Sequence, residues 1–480
     1  MATRSQSKFA SSSRLRVLVF YLVMIGVAVG VFLLIDRAGN HLRVPGAAAP
    51  GASVLKAAPE TINTVLHVLL ALAVIILTTR AVGNLFSWLQ QPPVIGEVIG
   101  GIMLGPSLLG RIAPGAMAYL LPLSVAPFLN VIAQLGVILY MFLVGMELDL
   151  KLVMKSGHAS LAISHASILT PFLLGAALAL GIYPLMVHNG VGFTSFALFL
   201  GVSMSVTAFP VLARILTDRG IAKTAMGSVA LSCAAVDDVS AWCLLALVVS
   251  ITQARVSGAI VTVLLTAAYI VFVFLVVRPA VQLLMPRLER SPELTRSGMA
   301  ILFVAMLLSA MTTEYIGIHA IFGAFLLGAV IPHDSRVTAG LTHRLNDVIS
   351  VLFLPAFFAF TGMRTQVALI SGGQDWAICG LILLCACVGK FGGSLAAGKL
   401  TGLSWRDASA LGVLMNTRGL VELIALNIGL DLGVISPTLF AMLVIMALVT
   451  TFLTTPIVHL LTRRHPWLPT PTPQPAFTNS

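Results

Sequence analysis

A chain of 480 residues that is 58% hydrophobic and only 9% charged, with a mean hydropathy of +1.02, cannot present an ordinary water-facing surface, because soluble domains carry about 25% charged residues. That composition excludes a soluble enzyme or binding module and points to lipid as the solvent. The net charge of +11 would suit an acidic or nucleic-acid partner, but the placement of the basic residues gives it another meaning.

In chain order, the stretch SRLRVLVFYLVMIGVAVGVFLLIDRAGN has an apolar core longer than the 7–15 residues of a secretory h-region. It reads as a retained anchor helix over 15–35, although Ala47, Ala48 and Ala49 are the small residues a cleavage site would use. A Pro/Gly/Ala linker, RVPGAAAPGASVLKAAPE, follows. Apolar runs near the roughly 20 residues needed to span a bilayer then recur. They fall at 61–80, 93–110, 127–146, 158–182, 193–213, 224–250, 257–277, 297–313, 318–332, 345–363, 376–398, 408–428 and 437–460. With the anchor this predicts an all-α polytopic membrane protein of about fourteen spans. After His465 only PWLPTPTPQPAFTNS remains, too short and Pro-rich to fold, so neither end is expected to carry a soluble domain. The organisation expected is a tail, extra helix and outer linker over 1–56, a transmembrane domain over 57–465 with repeat halves near 61–277 and 297–462, and a disordered tail over 466–480.

If the N-terminus is cytoplasmic, the outer segments hold only Arg37, Arg43, Lys56, Arg111, Arg255 and Arg364 of the 28 Lys and Arg. Lys390 and Arg418 lie within spans, and the rest face inward. The positive-inside rule therefore fits both termini in the cytoplasm of a multi-pass cell-membrane protein. The basicity is a topology signal, and nucleic acid is not an expected partner. The five cysteines all fall inside predicted spans, where Cys packs as a small hydrophobe.

Two internal echoes suggest duplication. Gly96, Gly101 and Pro106 in VIGEVIGGIMLGP are matched by Gly323, Gly328 and Pro332 in IFGAFLLGAVIP, each a short helix whose small residues admit close neighbours. Ser205 and Thr207 precede Pro210 in MSVTAFPVLARIL, and Asn416, Thr417, Arg418 and Gly419 interrupt a span in MNTRGLVELI. Proline removes a backbone donor and frees carbonyls. Two polar breaks, one per half, are expected to meet near the midplane, where half-helix ends face an ion.

The ionisable residues placed away from the interfaces are Asp237, Asp238, Lys390, Arg418 and Glu422. A carboxylate at the bilayer centre costs roughly 2.5–3.5 kcal/mol, so a tandem pair reads as functional. Neighbours on a helix point about 100° apart, so the two aspartates cannot serve the same partner. Groups so close share their protons as a pair. Lys390 is the intramembrane lysine available to hold one of them ionised.

These motifs resemble the monovalent cation:proton antiporters, in the branch that includes bacterial sodium/proton antiporters and plant cation/proton exchangers. The resemblance runs from about residue 60 to 460 through QPPVIGEVIGGIMLGPSLLG, SVTAFPVLARIL, AAVDDVSAW, LPAFFAFTGMRT, GKFGGS and MNTRGLVELIALNIGL, in that order. It implies the sodium/proton antiporter fold, with inverted repeats and two discontinuous crossing helices. It implies further that Asp238 alternately binds cation and proton, that Asp237 pairs with Lys390, and that Thr207 sits at the unwound helix beside them. Core helices would move against a dimer platform that includes 61–80. An Asp-Asp pair tends to accompany charge-moving exchange. The helix at 15–35 is additional to the usual thirteen.

Sodium or potassium and protons are thus the expected substrates, the bilayer and a second copy the expected partners, and no cofactor is expected. Other polar residues carry blander readings: Glu97 as interfacial, Arg418–Glu422 as a local ion pair level with an ion-path role, Glu314 and His319 as a solvated turn, and His158 and His165 as structural. A channel would need a filter-like repeat, and a membrane enzyme a nucleophile–base set or HExxH; neither is found. Proton-coupled export of a small organic molecule is the nearest rival.

Overall fold

The computed structural model describes residues 23–42, 63–147, 158–187, 190–222, 224–253, 259–288, 295–332 and 334–463. Its elements are helices, as hydrocarbon requires when it offers the backbone no partner. Helix α1 covers residues 23–39. The first half continues with α2 (Thr64–Trp88), α3 (Pro93–Leu104), α4 (Ala126–Glu147), α5 (His158–Met186), α6 (Phe193–Ser205), α7 (Phe209–Asp218) and α8 (Ala225–Gln253). Helix α9 joins Ala259–Phe272 to Arg278–Leu288 through a π-helical turn. The second half comprises α10 (Arg296–Ile316), α11 (Ala320–Val330) and α12, in which a π-helical turn links Arg336–Val348 to Leu354–Arg364. It ends with α13 (Gly372–Leu400), α14 (Trp405–Met415), α15 (Leu420–Asp431) and α16 (Pro437–Arg463).

Among the described residues, 11 helical spans are long and apolar enough to cross a bilayer, and the pair α14 and α15, bent by 44°, makes up to 12. The expected count of about fourteen adds α1 and α11. The latter has 11 residues, and at about 1.5 Å per residue it reaches only part of the roughly 30 Å hydrocarbon core. The 1–22 part of the expected N-terminal segment, the linker over 43–62 and the tail over 464–480 lie outside the described residues.

The glycine echo is a packing symmetry. A Cβ on Gly96 would come within 2.6 Å of the Val82 carbonyl oxygen of α2, and one on Gly101 within 2.6 Å of Ala359 in α12. In the other half, a Cβ on Gly323 would meet the Ser309 oxygen of α10, and one on Gly328 the Phe142 oxygen of α4. Each short helix is therefore clamped by its own predecessor and by a helix of the opposite half, as inverted repeats demand. Gly145 of α4 returns the contact, since its Cβ would strike the Phe325 oxygen of α11. With backbones this close, Gly328→Val should destabilise the protein by about 1–3 kcal/mol through overpacking. A melting temperature in detergent equal to that of the native chain would contradict the contact.

The helices gather into two bodies. Helices α5–α8 pack with α13–α16 around the polar centre, while α2–α4 pack with α10–α12 beside them. Helix α1 lies on the first body: Thr194 donates to Asp36 at 2.5 Å, and the Phe32 and Phe172 rings are 5.8 Å apart. The extra helix thus joins α5 and α6 and leaves Val23, Ile25, Val27 and Leu34 exposed on its outer side.

Candidate functional site

Both breaks form where the sequence places them. Helix α6 ends at Ser205, Val206 and Ala208 are extended, and α7 begins at Phe209 with Pro210 in its first turn, where a missing N–H costs nothing. In the second half, α14 stops at Met415 and α15 starts at Leu420. The two breaks cross: Ala208 N–H donates to the Thr417 carbonyl at 3.0 Å. Gly419 permits the approach, because a Cβ there would lie 2.7 Å from Val211 and 2.9 Å from Ala208.

Arg418 binds across this crossing. Its guanidinium donates to the Ser203 and Met204 carbonyls at 3.0 and 2.6 Å, so a fixed cation covers the carbonyl end of α6. Its own N–H donates to Thr451 at 2.9 Å, and the Thr451 hydroxyl donates back to the Arg418 carbonyl. Glu422 stands 3.6 Å from Arg418, beyond hydrogen-bonding range, and neither of its carboxylate oxygens has a hydrogen-bond partner. The i,i+4 ion pair is therefore loose, and the arginine works chiefly on the opposite half-helix. Asn416 points its amide nitrogen at Cys387 Sγ, 3.5 Å away, and Thr417 returns its hydroxyl to Leu414.

The two aspartates of α8 have different surroundings. Asp237 accepts from Ser164 through Oδ1, and its Oδ2 accepts from Ser167 at 2.7 Å, Thr207 at 2.6 Å and Lys390 Nζ at 2.9 Å. Lys390 also donates to the Ser205 carbonyl. Asp237 and Lys390 are wholly buried, and a buried ion pair is sustained only when further hydrogen bonds satisfy it, as they do here. Asp238 is 3% exposed, and its Oδ1 has no hydrogen-bond partner. Ser205 serves Lys390 through its main-chain oxygen, since its hydroxyl lies within reach of the Ile168 and Gly201 carbonyls. Thr207, in this conformation, serves Asp237.

A cavity of about 370 Å³ runs from Arg80, Arg214 and Glu97 to Tyr140, Pro210 and Leu420, between the two bodies. Glu97, read from sequence as interfacial, is 9% exposed and belongs to the wall of this cavity. At the opposite end the bodies are joined. Arg364 of α12 donates to Asp431 at 2.6 Å and Asn427 at 3.0 Å, both in α15, beside a cavity of only about 30 Å³. Glu314 accepts from Ala320 N–H at 2.7 Å and so caps α11, a more specific role than a solvated turn. His165 faces the Leu161 carbonyl at 2.8 Å. The His158 side chain lies outside the described residues.

Sequence reasoning missed Ser164 and Ser167. With Ser160 they form a stripe at i, i+4 and i+7 on one face of a mostly apolar helix, and all three are buried. That stripe was the available signal.

Comparison with known proteins matches this picture. The chain is 44% identical over 398 residues to the Na(+)/H(+) antiporter NhaS4 of Synechocystis sp., covering 82% of this chain and 97% of that protein. It is 40% identical over 401 residues to Cation/H(+) antiporter 20 of Arabidopsis thaliana and 38% identical over 385 residues to K(+)/H(+) antiporter 1 of Saccharomyces cerevisiae. Those alignments cover 80% and 78% of this chain but 47% and 44% of the plant and yeast proteins, so it spans about half their length. The solved structure of the sodium proton antiporter MjNhaP1 from Methanocaldococcus jannaschii shares the fold, with a TM-score of 0.60 at 14% identity over 83% of this chain and 97% of that one. Residues 71–464 match the profile described as sodium/hydrogen exchanger, transmembrane, and the chain belongs to that family.

Proposed function

We propose that this protein exchanges sodium or potassium for protons across the cell membrane by alternating access, with Asp238 as the carboxylate that takes cation and proton in turn. The observation that carries the reading is the contrast within the pair. Asp237 is saturated by three hydroxyls and an ammonium, while Asp238, one residue on, is buried with an oxygen lacking any protein donor. A buried carboxylate oxygen without a donor suits a ligand that arrives as a cation. The residues around it fit a small monovalent ion: Asp238 supplies charge, Asp237 with Lys390 fixes the neighbouring geometry, and the crossed breaks bring carbonyl oxygens and helix ends to the same depth.

Access follows from the two ends of the seam between the bodies. Arg80 and Arg214 line the large cavity, and their segments are cytoplasmic by the positive-inside rule. This conformation is then open inward and closed outward by the Arg364–Asp431 pair. Both termini are assigned to the cytoplasm, and α2 with its neighbours to a homodimer platform. The exchange is further proposed to move net charge. Because the cavity is much larger than an alkali ion, it favours as a second reading the proton-coupled export of a small organic cation.

Proteoliposomes carrying a pH-sensitive dye separate these readings. Sodium or potassium pulses should move protons. A response to organic cations alone would select the second reading, and no response to either would reject antiport.

A further inference from the structure

We infer that Glu422 is the second proton-carrying group of the exchange, so that each cycle moves one proton at Asp238 and one at Glu422. The inference rests on the antiport reading and concerns where its extra charge travels. The acidic groups of the centre are Asp237, Asp238 and Glu422, set against Lys390 and Arg418, and all five are at most 3% exposed.

A proton on Asp237 would meet donors already on either oxygen, Ser164 on Oδ1 or Ser167, Thr207 and Lys390 on Oδ2, and would weaken the ion pair with Lys390. Protonating Glu422 would disrupt no hydrogen bond, because neither oxygen accepts one. Arg418 would also keep its place, since its hydrogen bonds go to the Ser203 and Met204 carbonyls. The ionised form of Glu422 is sustained as well. It lies in the first turn of α15, where a helix favours negative charge, and 3.6 Å from a permanent cation. A group that can hold either form without rearranging its neighbours is suited to releasing a proton as readily as binding one.

The charged groups acting on Glu422 are Arg418 in the adjoining break and Lys390 of α13. Helices α6 and α16, packed against α15, present hydroxyls at this depth, among them Ser203 and Thr451, and α12 brings its charged Arg364 to α15 at Asn427 and Asp431, toward the other end of that helix. Leu420, two residues before Glu422, lines the large cavity, so the turn that carries Glu422 borders it. With all five groups ionised the centre carries one negative charge, and a bound monovalent cation brings it to zero. When the cation leaves and protons occupy Asp238 and Glu422, the centre returns with one positive charge. Two protons then cross for each cation, while Asp237 stays ionised against Lys390 throughout.

Currents on solid-supported membranes, recorded beside dye-detected proton movement in proteoliposomes, test this with sodium and potassium jumps. The native chain should give both signals. Glu422→Gln should keep the dye response and lose the steady current at least several-fold, and Glu422→Asp should keep both. An undiminished current in Glu422→Gln overturns the inference, as does a native chain that moves protons without current. Loss of both signals in folded Glu422→Gln also overturns it, since one-for-one exchange should survive. Silence of the native chain in both assays would instead sink the antiport reading. If Glu422→Gln fails to fold, infrared spectra of the native chain and Glu422→Asp decide. The carboxylic-acid band that appears on acidification should shift between them, and an unmoved band refutes the assignment.

Discussion

On the proposed reading, Asp238→Asn should abolish cation-dependent proton movement, reducing the dye response in proteoliposomes to that of empty vesicles. Asparagine has nearly the same shape but neither charge to hold a cation nor a proton to exchange, so the expected loss is complete. Stability should move the other way or hardly at all. The Asp238 Oδ1 atom makes no hydrogen bond in the native protein, and removing an unpaired buried charge relieves a desolvation penalty. The variant should therefore insert, elute as the native species and melt no lower. Normal exchange by Asp238→Asn would remove this residue from the carrier role. A collapsed melting temperature would show that it holds the fold instead.

Lys390→Ala has its large effect on the fold. It leaves the Asp237 carboxylate buried with three hydroxyls and no cation, and it strips the Ser205 carbonyl of its donor. Breaking a buried ion pair from one side costs about 3–5 kcal/mol, so the melting temperature in detergent should fall well below that of the native chain. The double variant Asp237→Asn/Lys390→Ala should recover part of that loss, because the stranded charge is gone; this non-additivity is the signature of direct coupling. Single-variant melting equal to native, or strictly additive losses, would show that the pair is not a structural unit.

The sequence announced the features that violate the rules of a lipid-facing helix. Adjacent aspartates, a lone intramembrane lysine and Pro210 just past Ser205 and Thr207 each cost free energy in hydrocarbon, so each was visible as an exception. The crossing of the breaks also followed from their similar depth in the two halves. What stayed hidden obeys those rules. Ser164 and Ser167 lie 73 and 70 residues from Asp237 in sequence, and serine is common in membrane helices, so nothing local marks them as its donors. Arg418 was legible as polar and central, but its i,i+4 neighbour Glu422 offered a local partner. That it grips the Ser203 and Met204 carbonyls instead depends on a contact 214 residues away. Glu97 looked interfacial because its position follows a proline pair at a helix start; its burial comes from α2, where Gly83 lets the side chain lie close.

The stitching of the two breaks bears on which way ions flow. Ala208 donates to Thr417, and Arg418 clasps the end of α6, while Asp237 and Lys390 tie α8 and α13 to the same knot. On the proposed reading this knot travels whole, so an ion meets the same oxygens whichever compartment it entered from. Its intrinsic affinity is then nearly equal on the two sides. Detailed balance leaves such a protein without a preferred direction of its own: reversing the proton gradient turns an exporter of the cation into an importer, and only the concentrations and voltage outside the molecule decide between them.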